Sequence, residues 1–294
     1  MIDQLLALDP GARGIGAFFV RGGAAAAARS LARGTEVLIT TGFAVAPGEP
    51  ETDGPPGAAS LGRALRLLGK RVRFVTDAVT VPPLRAALDA LGERALIDTF
   101  HAGADPLATA RRHLAEHASS HLVAIERPGR ARDGDYRNAR GASVRDWNAP
   151  LDALFLVPAR RLTTVGVGDG GNEIGMGNVR ARVVRASPAL RAIASVVKVD
   201  HLVVAGTSNW GAYGIVAELS ALAEQDLLHG AEDERRMIEA CVAAGAVDGL
   251  TRRPEATVDG LPLAAHVGML ELLRIFAGSP RGARPTRTTR RSRR

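Results

Sequence analysis

The sequence carries a single cysteine, Cys241, so no disulfide can form within the chain. Set among Ala and Val in a stretch of helical spacing, this thiol reads as a small buried hydrophobe. Long apolar runs are missing as well: none approaches the roughly 20 residues needed to span a bilayer. The opening M-I-D-Q-L-L-A-L-D-P-G lacks the basic and apolar regions of a signal peptide. A reducing, cytoplasmic location is the expectation. Lysine is scarce, being found only at Lys70 and Lys198, so almost every basic residue is arginine. With abundant alanine, that bias fits genome base composition better than selection for a partner. No internal repeat is visible.

The 294 residues hold 38 Lys+Arg against 31 Asp+Glu, a formal charge of +7 that taken alone suggests a nucleic-acid or membrane-surface binder. Its location excludes that reading for the body. Seven arginines and no acid lie between Arg281 and Arg294, and removing them leaves 31 basic residues against 31 acidic ones. The tail, with Gly, Pro, Thr and Ser among its arginines, is expected to be disordered. Residues 1–280 are long enough for one large α/β domain, and 46% hydrophobic with 23% charged residues is ordinary for a globular protein.

Short β-rich apolar runs fall at Glu36–Thr41, Val72–Thr76, Ala95–Phe100, His121–Ile125, Leu162–Val167 and His201–Ala205. Between them lie Ala/Leu/Arg stretches of helical spacing such as Ser60–Leu68, Pro83–Leu91 and Leu107–Ala118. After Gly211 the chain reads as mostly helical, over Ala212–Leu228, Glu232–Ala244 and Leu263–Ala277. The alternation predicts an α/β fold, a mostly parallel Rossmann-like sheet with helices on both faces and a helical C-terminal part.

Chemistry gathers where these strands end. The first runs into T-T-G-F and then E-T-D-G-P-P-G (Glu51–Gly57). The fourth enters the arginine- and acid-rich Glu126–Gly141, the fifth G-V-G-D-G-G-N-E-I-G-M-G-N (Gly166–Asn178), the sixth G-T-S-N-W-G. In a parallel sheet these loops share one edge, where open α/β sheets bind ligands. Gly166–Gly171 matches G-x-G-x-x-G, which makes a phosphate or nucleotide-sugar binder the alternative function. Against it, Asp169 would face a pyrophosphate, and Gly175 and Gly177 interrupt the helix that should hold the phosphate. Two carboxylates four apart, Asp169 and Glu173, with Asn172 and Asn178 nearby, suit a cationic or metal-bound ligand better. A tight turn with solvated acids is the plain alternative.

Three further motifs carry less. His113-Leu-Ala-Glu-His117 has the H-x-x-E-H form of inverted zincins, but it lies on a helix entering the fourth strand, opposite the loop edge, and reads as helix surface. Gly206-Thr-Ser-Asn-Trp210 departs from the nucleophile elbow because Trp210 replaces the final glycine. His266, in a late helix, is either a base or a satisfied core histidine.

Across these motifs the sequence resembles the D-glutamate cyclase family. The strings carrying the resemblance are L-I-T-T-G-F, E-T-D-G-P-P-G-A, H-L-V-A-I-E-R-P-G-R-A-R-D-G-D-Y-R-N-A-R, T-V-G-V-G-D-G-G-N-E-I-G-M-G and S-N-W-G-A-Y. A weaker likeness lies at V-D-G-L-P and near His266, so it runs from about Pro10 to Ala277 as a stand-alone form. It implies a hydro-lyase that converts D-glutamate to 5-oxo-D-proline and water.

The residues suit that chemistry. Arg127 and Arg130 are expected to hold the α-carboxylate by bidentate forks. Asp169 and Glu173 would bind the ammonium, accept its proton, or hold a divalent cation, Mg or Mn. Glu51 and Asp53 are further acid/base candidates. Thr41, Ser208 and Asn209 could donate to a developing oxyanion, and Glu126, Asn138, Gly170 and Asn172 complete the expected substrate contacts. The expected partner is a small amino acid, with no membrane and no nucleic acid beyond the basic tail, and a homo-oligomer is compatible with the sequence.

Overall fold

The computed structural model describes residues 1–159 and 161–278; the arginine-rich tail lies outside the described residues. The six apolar runs form strands β1 Glu36–Thr41, β2 Arg71–Thr76, β3 Ile97–Thr99, β4 His121–Ile125, β5 Thr163–Gly168 and β6 His201–Val204. They pair in the order β3-β2-β1-β4-β5-β6, and every neighbouring pair is parallel. β1, E-V-L-I-T-T, is buried along its whole length, as a strand covered on both faces must be. Its alternate side chains enter two cores. Val37 and Ile39 join Val123, Ile125, Val165 and Val167 on one face, while Leu38 meets Val75 and Leu122 on the other. Each fully buried Val, Leu or Ile stabilises the fold by roughly 1.5–3 kcal/mol.

Eleven α-helices are assigned among the described residues: α1 Ile2–Leu6, α2 Gly23–Ala32, α3 Pro55–Leu67, α4 Val81–Ala90, α5 Pro106–Glu116, α6 Ala153–Leu156, α7 Arg180–Ala186, α8 Leu190–Ile193, α9 Ser208–Ala223, α10 Ala231–Ala243 and α11 Leu263–Gly278. Residues of α1 to α4 and α9 to α11 pack in the first core; α5 and α6 cover the second. Helix α9 is buried from Ser208 to Ser220, apolar nearly all round as a central helix should be. None of the described helices is long and apolar enough to cross a membrane.

Two helix starts differ from the sequence reading. α3 begins at Pro55 rather than near Ser60, because prolines in the first turn forfeit only N–H groups that have no partner there. α9 begins at Ser208, since the Thr207 hydroxyl accepts from the Trp210 N–H at 3.2 Å and caps the helix.

The strand order reverses between β1 and β4, which opens a crevice outside their carboxyl ends. A hairpin of Ala44–Ala46 and Glu49–Pro50 follows β1. A second, of Thr257–Val258 and Leu261–Pro262, turns on Asp259 and Gly260 with φ of 55° and 74°. An Asp-Gly pair suits this left-handed two-residue turn.

Candidate functional site

The loops beyond the sheet enclose a cavity of about 330 Å³. Its walls carry Arg13, Glu51, Glu126, Asp169, Glu173 and Asp259, with Arg140 and Arg252 also on the lining. Each is delivered by a local device. The Asp9 carboxylate accepts backbone N–H groups of Arg13, Gly14 and Ile15 at 2.9, 2.7 and 3.2 Å, shaping the N-terminal loop that presents Arg13. Glu126 follows the last residue of β4 with φ 43°, a conformation that a non-glycine residue adopts at a cost of roughly 1–3 kcal/mol. Glu51 follows the first hairpin, and its carboxylate fits only because Gly249 is bare: a Cβ there would lie 2.0 Å from Glu51 Oε2.

Arg13 occupies the centre. Its Nη1 lies 2.6 Å from Asp169 and its Nη2 lies 2.6 Å from Asp259. Burial disfavours the charge, but the two carboxylates more than offset it and hold the guanidinium above its ordinary range. Glu51, Glu126 and Asp169 are at most 6% exposed. Burial drives all three carboxyls well above the usual range. The next influence on Glu51 is Asp259 and on Glu126 is Glu173, whereas on Asp169 it is Arg13, which opposes the shift. Ser208 Oγ donates to Glu126 Oε2 at 2.6 Å. The cavity therefore holds a charged arginine beside acids inclined to keep their protons.

The expected site residues separate into two groups. Glu51, Glu126, Asn138, Asp169, Gly170, Asn172 and Glu173 line the cavity. Glu173 is nonetheless turned back onto its own loop, where its two oxygens accept the N–H groups of Gly170 and Gly171 at 2.7 and 2.8 Å. Those are donors a phosphate would need, so the G-x-G-x-x-G loop already holds an internal anion.

The other expected residues stand behind the wall. Asp53 accepts the Ser208 and Asn209 N–H groups at 2.8 Å each, a carboxylate seated on the start of α9. Asn209 Oδ1 accepts from Gly54 and Gly57 at 3.0 and 2.8 Å. Thr41 is fully buried.

The arginines expected to clamp a carboxylate are not on the cavity lining. Arg127 is fully buried, pairs with Asp77 at 2.6 Å and donates to the Gly42 and Ala149 carbonyls. Arg130 makes a two-pronged pair with Asp152 at 2.7 and 3.0 Å. Both resemble ligand clamps in sequence because an Arg–carboxylate fork looks the same whichever molecule supplies the acid.

The family model for D-glutamate cyclase-like proteins, C-terminal part, matches residues 2–274. This chain belongs to that family. The human mitochondrial D-glutamate cyclase is 36% identical over 239 residues, 75% of this chain and 38% of the human protein. The chain thus spans well under half the length of that curated relative. Among solved structures, a RecJ exonuclease bound to manganese aligns at TM-score 0.39 and 13% identity, covering 88% of this chain and 46% of that one. RecJ from Thermus thermophilus in complex with Mn2+ aligns at 0.36 and 14%, covering 84% and 26%.

Two central residues of this family member escape sequence reading. Arg13 lies in a loop with no motif around it, and its role emerges only through its partners. Asp259 was visible only within V-D-G-L-P, a string of weaker family likeness, and not as a cavity residue. Asp53, Glu126 and Asp169 also bring carboxylate oxygens within 4.8 Å of one another. An all-oxygen set of this kind fits a hard divalent cation such as Mg2+ or Mn2+, which would displace the protons of the carboxyls, with Arg13 its competitor for Asp169.

Proposed function

We propose that this chain is a hydro-lyase that closes D-glutamate into 5-oxo-D-proline with release of water. The observation supporting this reading is the pairing of Arg13 with two carboxylates inside a cavity that also holds acids inclined to stay protonated. Cyclisation needs both signs together. The substrate is a zwitterion with a second carboxylate, and the reaction moves two protons from its ammonium to the departing oxygen.

Arg140 receives a substrate carboxylate, Arg252 does so by exchanging Glu49 for it, and Arg13, held by Asp169 and Asp259, supplies positive charge to the cavity. Asp169, made more basic by burial yet paired with the Arg13 guanidinium that favours its charged form, accepts a proton from the ammonium. The freed nitrogen lone pair attacks the γ-carbon while the chain is folded to bring the two within about 3–3.5 Å. Glu126, protonated and held by Ser208, delivers a proton to the leaving oxygen as the C–O bond breaks. Asp169 passes the ammonium proton to the departing oxygen as the second proton of the water, then takes the remaining nitrogen proton of the adduct and returns it to Glu126, so both acids end as they began. Because nucleophile and electrophile share one molecule, no nucleotide is required. A divalent cation held by Asp53, Glu126 and Asp169 would take the place of the Glu126 proton, supplying the polarisation of the γ-carboxyl as a Lewis acid.

The test is chromatographic. Purified chain incubated with D-glutamate should yield 5-oxo-D-proline, and L-glutamate serves as the stereochemical control. A chain that leaves both enantiomers intact, while nucleotides or phosphosugars raise its melting temperature, would overturn the reading in favour of the phosphate-binding alternative.

A further inference from the structure

Away from the cavity, the H-x-x-E-H segment has acquired a third partner. His113 on α5 and His117 at its C-terminal cap are one helical turn apart, with ring centroids 4.8 Å from each other. Facing them is Asp98, the middle residue of β3 at the sheet edge. One ligand atom from each of the three lies within 4.8 Å of the others.

All three residues are half-buried. His113 Nε2 is shielded from solvent with no hydrogen-bond partner among the described residues. His117 Nε2 stands 3.9 Å from Asp98 Oδ2, beyond hydrogen-bond reach. Imidazoles so withdrawn from water normally find partners. Here two point at one carboxylate without satisfying each other. Glu116, the acid of the motif, is exposed and lies outside the cluster.

We propose that Asp98, His113 and His117 form a structural site for a divalent transition metal, zinc or its analogues cobalt and nickel, which staples the edge strand β3 to α5. The two-nitrogen, one-oxygen donor set selects this class over magnesium or calcium, which take oxygen ligands. Donors about 2.0–2.1 Å from a tetrahedral zinc sit about 3.3 Å apart, so closing the site needs side-chain movements of roughly 1 Å. Water fills the fourth position. Arg73 Nη2, 2.9 Å from Asp98 Oδ2, is the built-in competitor for the carboxylate.

The experiment is zinc titration of the chelator-stripped full chain, read by calorimetry and by thermal unfolding. In excess Mg2+, which keeps the all-oxygen cluster supplied, one equivalent of zinc binds saturably and raises the melting temperature. His117→Ala abolishes both effects, Asp98→Asn weakens binding about tenfold or more, and Arg73→Ala, which frees Asp98, tightens it. Asp169→Asn leaves zinc binding unchanged, separating this site from the all-oxygen cluster. The proposal fails if zinc does not bind, if binding survives in His117→Ala, or if Arg73→Ala weakens it. Circular dichroism of each variant confirms that the fold is retained.

Discussion

Arg13 reaches from the N-terminal loop to within 2.6 Å of Asp169, in the loop that follows the fifth strand. One guanidinium thereby opposes the upward pull of burial on the proposed base. Arg13→Ala should lower kcat/KM by about a hundredfold or more, the scale seen when a single preorganised donor is lost. Arg13→Lys should recover only part, because an ammonium cannot span Asp169 and Asp259 as a fork. Steady-state kinetics with D-glutamate would check both.

Gly249 gives Glu51 its room. Gly249→Ala would set a methyl group 2.0 Å from Glu51 Oε2 and displace the carboxylate. Glu51 lines the cavity, so moving it by about 1 Å would misplace the bound substrate and can cost on the order of a hundredfold in rate. The expected outcome is a folded protein with a far-ultraviolet spectrum like the parent's and strongly reduced turnover.

Asn209 ties the Gly54–Gly57 turn to α9 through two backbone N–H groups. Asn209→Ala leaves the Gly57 N–H buried without its acceptor, at about 1–3 kcal/mol, while the Gly54 N–H keeps Asp53 Oδ1 at 3.1 Å. Urea unfolding should show a loss of that order before any assay is run.

His266 accepts a hydrogen bond from Trp210 Nε1 at 2.9 Å through Nδ1, so its neutral form is the one that fits. Burial holds its pKa below the ordinary value. A folded pKa lower than the unfolded one favours the native state above about pH 6.5, and that contribution disappears as pH falls toward the folded value. The melting temperature should therefore drop between pH 7 and pH 5. His266→Gln, which keeps an acceptor for Trp210, should show a shallower drop.

Chelation bears on the acidic trio. If Asp53, Glu126 and Asp169 hold a divalent cation during turnover, activity falls after dialysis against a chelator and returns with Mn2+ or Mg2+. Activity that is unchanged by chelation would leave Arg13 as the cation of the site.

How much was legible in the sequence follows from how far each signal reaches. The run Glu36–Thr41 matches β1, because a strand buried on both faces needs an unbroken apolar and β-branched stretch. The loops holding Glu51, Glu126 and Asp169 could be placed on one edge because parallel topology fixes which strand ends meet. Inside those loops the sequence has no direction sense. Arg127 and Arg13 carry the same fork, yet one is turned to Asp77 and the other into the cavity, decided by backbone turns and by acids far away in the chain. The pairing of Asp98 with the α5 histidines is likewise a matter of where an edge strand lies, which spacing on one helix cannot disclose.

The ion-pair bridge at the cavity joins opposite ends of the described chain, since Arg13 precedes the first strand and Asp259 follows the last strand of the main sheet. A nascent chain could complete all six strands and still lack one side of this bridge until its final hairpin leaves the ribosome. The proposed activity should then appear only once synthesis has passed Asp259.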